Sequence, residues 1–91
     1  MPESTWVGPI LHATPTGQAI VEALRVANPQ LKIVDRGAYL RVLAPKRCIL
    51  RLADLRARLG AGAELPQDLE AAMPSFQGRM KLENETVTWD E

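Results

Sequence analysis

Two prolines govern what this sequence can become. Thr14-Pro15 has the form of a helix start: a hydroxyl able to accept from an orphan N–H, then the one residue with no N–H to satisfy. Pro29 acts at the other end, because its ring pushes Asn28 out of the α region, so a helix opened at Pro15 stops near Ala27. Between them Ile20, Leu24 and Ala27 recur at helical spacing with Ala23 beside them. Glu22 and Arg25 lie off that stripe, placed to pair at i,i+3.

Shorter segments surround this helix. Trp6 to Ala13 is apolar and partly β-branched, and Pro9 can donate no ladder hydrogen bond, which predicts an edge or bulged strand. Leu31–Arg36 and Ala38–Leu43, broken at Gly37, predict two strands joined by a tight turn with Leu40 and Val42 facing inward. After a turn at Ala44–Arg47, the alternation of Cys48, Leu50 and Leu52 with Ile49 and Arg51 predicts a third strand of the same meander. Leu52, Leu55 and Leu59, with Arg56 and Arg58 off the stripe, mark a second helix capped at Gly60. A loop at Ala61–Ala63 leads to a weaker helix from Pro66 to Met73, ended by Pro74. Met80–Leu82 and Thr86–Trp89 predict a terminal hairpin. The expected fold is a single α+β domain over residues 6–91, in the order β-α-β-β-β-α-α-β-β, after a loose tail at residues 1–5.

Composition sets the scale. With 91 residues, 46% of them hydrophobic and 24% charged, the chain has enough apolar surface for one modest core. Scaling laws have such a chain bury roughly 64% of its unfolded surface. The single cysteine, Cys48, rules out an intrachain disulfide and a CxxC redox pair. No stretch approaches the ~18 apolar residues of a membrane span, and Met1–Gly8 lacks the features of a signal peptide, so a cytoplasmic location is expected. Net charge is zero but unevenly placed: residues 25–58 hold nine basic and two acidic side chains, residues 59–91 two basic and seven acidic.

Catalytic constellations are nearly absent. His12 and Cys48 are the only nitrogen or thiol ligands, too few for a structural zinc site. Cys48 falls at an inward strand position, where a free cysteine is a small core residue rather than a nucleophile for His12 to activate. Gly60-Ala61-Gly62 has neither a preceding strand nor a lysine and is no phosphate cradle. The carboxylates are scattered over surface segments. Arg41, Lys46, Arg47, Arg51, Arg56 and Arg58 could share one side as a nucleic-acid or protein-binding surface, the alternative reading of the chain. Aromatics to stack bases are missing there except for Tyr39.

Several segments together resemble a known family. Val7-Gly8-Pro9-Ile10, Asn28-Pro29 after the first helix, Asp35-Arg36-Gly37-Ala38-Tyr39-Leu40-Arg41-Val42, Ile49-Leu50, Leu59-Gly60, and Leu69-Glu70 leading to Ser75-Phe76-Gln77-Gly78 are similar in order and spacing to the effector proteins of bacterial multicomponent di-iron monooxygenases. These are the coupling or regulatory components of toluene monooxygenase, phenol hydroxylase and soluble methane monooxygenase systems. The Val-Gly-Pro-Ile start draws the chain toward the toluene-type members. The resemblance implies a non-catalytic, cofactor-free protein that binds a di-iron hydroxylase and tunes dioxygen activation, coupling and regiospecificity of hydrocarbon hydroxylation. It also implies competition with the ferredoxin or reductase for the hydroxylase, and neither a nucleic acid nor a membrane as partner. Departures are Arg56 and Arg58, where toluene-type relatives tend to be acidic, and Ala72, where the pattern calls for Asn.

The resemblance carries over five partner-binding candidates: Asn28, Tyr39, Arg41, Ser75 and Phe76. Asn28 either contacts the hydroxylase or simply ends the helix; lying beyond the helical stripe, its side chain is expected to reach water or a partner. Tyr39 and Arg41 share the strand face opposite Leu40 and Val42, which offers an outer contact, while Tyr39 could equally pack under a helix. For Ser75 and Phe76 the residues themselves favour a structural role, with Phe76 anchoring the core and Gly78 permitting a turn.

Overall fold

A computed structural model describes residues 6–91, so the tail expected at residues 1–5 lies outside the described residues. The elements run β1 (Trp6–His12), α1 (Pro15–Ala27), β2 (Lys32–Asp35), β3 (Tyr39–Pro45), β4 (Arg47–Arg51), α2 (Leu52–Leu59), α3 (Gln67–Ala72), β5 (Ser75–Gln77), β6 (Arg79–Glu83) and β7 (Thr86–Asp90). This is the expected α+β order with one addition, the short strand β5.

Local chemistry sets the bounds of α1. The Gly17 N–H donates to Thr14 Oγ1 at 3.1 Å, Pro15 opens the helix, and the Asn28 N–H donates to the Leu24 carbonyl at 3.0 Å to close it. Ile20, Ala23 and Leu24 are fully buried, while Glu22 and Arg25 pair at 3.7 Å on the wet side.

The strands form two antiparallel sheets, ordered β2-β3-β1-β5 and β4-β7-β6. Two expectations are corrected. β1 is an inner strand, not an edge, lying between β3 and β5. Its ladder to β3 pairs Trp6 with Pro45 and Val7 with Ala44, lapses at Gly8-Pro9, and resumes at Ile10↔Arg41 in unchanged register, so the missing proline donor is absorbed by a gap. β4 belongs to the second sheet, not the meander, because Lys46 takes a left-handed conformation (φ 68°) that turns the chain out of the first sheet. There β4 pairs with β7 from Arg47↔Asp90 to Arg51↔Thr86. The terminal hairpin closes through Asn84 and Glu85, both at positive φ, as a two-residue primed turn requires.

Between the sheets and the helices lies one core, in which Leu40, Val42, Cys48 and Leu50 face inward as their alternation predicts. Its largest buried side chain is Trp89. Phe76, expected to anchor the core, is 40% exposed: β5 is a three-residue edge strand, and no described strand lies beyond it. Among the described residues, no helix is long and apolar enough to cross a membrane.

Candidate docking face

Alternation along the first sheet sends Val7, Leu11, Leu40 and Val42 into the core and Ile10, His12, Tyr39 and Arg41 to the opposite side. Register then assembles a row across that outer side. Val34 of β2 is opposite Arg41 of β3, Arg41 opposite Ile10 of β1, and Ile10 opposite Ser75 of β5, with the Tyr39–His12 pair alongside. Tyr39 is 43% exposed, His12 and Ser75 are exposed, and Ile10, Val34 and Arg41 are half-buried.

A polar bridge crosses this face. Arg41 Nη2 donates to Gln77 Oε1 at 2.9 Å, reaching over β1 to β5. Gln77 Nε2 in turn donates to the Trp6 carbonyl at 2.8 Å. Gly8 of β1 lies opposite Gln77; with φ at 148°, a Cβ there would strike the Val42 carbonyl of β3. Arg41 Nε is enclosed without a partner. The four strands contain one carboxylate, Asp35, which registers with inward Leu40 and caps the Gly37 N–H at 2.8 Å, so none stands on the outer side.

The sequence candidates therefore separate. Tyr39, Arg41 and Ser75 come together, whereas Phe76 registers with buried Pro9 on the other side of the sheet, at its edge. Asn28 lies elsewhere and does not reach water as expected; it is 7% exposed. Its Nδ2 donates to the carbonyls of Leu24 and Ile49, both at 2.7 Å, and its Oδ1 accepts the Ile49 N–H at 2.9 Å, tying α1 to β4. Gln77 is not among the sequence candidates because Ser75–Gly78 reads as a core anchor and a turn. A period of two over Ser75-Phe76-Gln77 is the signal that places Gln77 beside Ser75.

The basic middle segment does not form one free surface. Arg41 is bound to Gln77, Arg47 to Asp90 at 2.8 Å, and Arg56 to the Ala63 carbonyl at 3.0 Å and to Glu64 at 3.6 Å, each on a different element. Cys48 is fully buried, and desolvation pushes its thiol up to about 12, slightly offset by a backbone bond from Ile49. It is a core residue of β4, and exposed His12 closes β1 on the outer side of the other sheet. Among the described residues no group of His, Cys, Asp and Glu is placed to hold a metal ion.

Comparison with known proteins agrees with this architecture. A chain of the phenol hydroxylase–regulatory protein complex superposes with a TM-score of 0.86 at 17% identity, over 94% of this chain and 98% of its own. The soluble methane monooxygenase regulatory protein B superposes at 0.73, also at 17% identity, over 94% of this chain and 64% of its own. In sequence, the effector subunit of the alkene monooxygenase system of Xanthobacter autotrophicus (strain ATCC BAA-1158 / Py2) is 32% identical over 85 residues, 91% of this chain and 83% of that protein. Residues 5–90 match the MmoB/DmpM family, and the chain belongs to it.

Proposed function

We propose that this protein is the effector of a multicomponent monooxygenase, a regulatory and non-catalytic component that docks on the di-iron hydroxylase through the outer side of the β2-β3-β1-β5 sheet. The observation that carries the docking face is the row of Tyr39, Arg41 and Ser75, which no described element covers although the sheet's other side is committed to the core. Family membership and the named roles of the relatives support the effector role. The protein works beside its hydroxylase in the cytoplasm.

The mechanism is a shift of equilibrium in the partner. An effector moves a hydroxylase toward a reactive arrangement only insofar as it binds that arrangement better, and the same coupling makes the reactive hydroxylase bind the effector more tightly. A sheet fixed from behind by the core it shares with the second sheet presents its outer residues with little ordering cost on binding. Dioxygen chemistry stays with the iron and its ligands in the hydroxylase; this chain selects which hydroxylase conformation persists. The test is reconstitution: adding the protein to its cognate hydroxylase and electron donors raises product formed per reductant consumed, saturably. Coupling unchanged at saturating protein overturns the effector reading.

A further inference from the structure

We infer that Gln77 is a positioning residue for Arg41, and that the group Arg41 is held to receive is a carboxylate on the hydroxylase surface. This rests on the docking face proposed above and deepens it. A carboxamide has one donating and one accepting end. The Trp6 carbonyl can only accept, so at 2.8 Å it fixes Nε2 toward itself and leaves Oε1 facing Arg41 Nη2 at 2.9 Å. The guanidinium is thereby set from β5, across β1.

The pose serves something outside the chain. It leaves Nε enclosed and unpartnered, a cost the fold bears without an internal return. Among the described residues Arg41 bonds to Gln77 through Nη2, and the donors on Nη1 and the second hydrogen of Nη2 are open. No carboxylate of the four strands stands on the outer side to compete for them, and Lys32 shares that side, so the strands present a face complementary to an anion. The planar fork of arginine matches a carboxylate better than any other protein side chain.

The test reads the half-saturating protein concentration in turnover of the cognate hydroxylase, for Arg41→Leu, Gln77→Leu, the double variant and Gln77→Glu, with thermal unfolding of each alongside. Arg41→Leu is expected to raise half-saturation by about tenfold or more, the size of a lost charge-assisted bond. Gln77→Leu is expected to raise it about fivefold alone, with no effect on maximum turnover, and to add nothing once Arg41 is gone. Gln77→Glu supplies an internal carboxylate to Arg41, so it too weakens docking and flattens the dependence of half-saturation on salt; it carries the test if Gln77→Leu fails to fold. Wild-type half-saturation in both Gln77 variants, or additive losses in the double variant, overturns the positioning role while leaving the docking face in place. Wild-type half-saturation in Arg41→Leu overturns the docking face itself.

Discussion

Asn28 shows how one carboxamide can decide between a binding and a folding role. Its three hydrogen bonds join the last turn of α1 to β4, and only 7% of the residue is exposed. Asn28→Ala leaves the Ile49 N–H and carbonyl short of partners and is expected to cost about 2–4 kcal/mol of stability, read by denaturant unfolding of the free protein. A loss below about 0.5 kcal/mol contradicts the clip, since surface substitutions have that size. Asn28-Pro29 announces a helix end but not the strand that receives the side chain, because Ile49 is brought there only by tertiary folding. Cys48 was legible, since alternation alone placed it inward. Burial raises its thiol from 9.0 to about 12, so above pH 9 the folded chain keeps a proton that the unfolded chain has released. Stability therefore falls as pH rises through that window, by up to about 1.4 kcal/mol per unit. Cys48→Val is expected to remove that part of the slope, measured by urea unfolding at several pH values; an unchanged slope contradicts it.

Elements bounded by local rules were legible, and those that depend on pairing were not. Thr14-Pro15 and Pro29 delimit α1 because capping and proline sterics act within a few residues. The membership of β4 in the second sheet depends on Lys46 adopting positive φ, which nothing in its residue type demands. Size and apolarity assign Phe76 to the core, yet burial depends on what lies over a strand, and at the edge strand β5 the ring stays 40% exposed. In β1 the proline points to an edge or a bulge, while the decisive residue is its neighbour. Gly8→Ala places a Cβ against the Val42 carbonyl at φ 148° and is expected to cost at least about 3 kcal/mol, through strain and overpacking together. Thermal unfolding checks it; a midpoint within a few degrees of wild type means β1 and β3 are not held as described.

For the whole molecule the question is which surface is left to bind. A standard interface takes about 800 Å² per partner, about 15% of the 5203 Å² surface, so one sheet face suffices. One side of the first sheet is spent on the core, and the proposed docking face is its outer side, with Tyr39 and Arg41. Hydroxyl-radical footprinting of the protein alone and bound to its cognate hydroxylase tests this directly, because Tyr39 (43% exposed) and Leu82 (44%) start equally accessible and Val26 (60%) more so. The expected result is protection of Tyr39 in the complex, with Val26 and Leu82 labelled as in the free protein. Undiminished labelling of Tyr39 at saturating hydroxylase, with protection at Val26 or Leu82, would contradict the docking face.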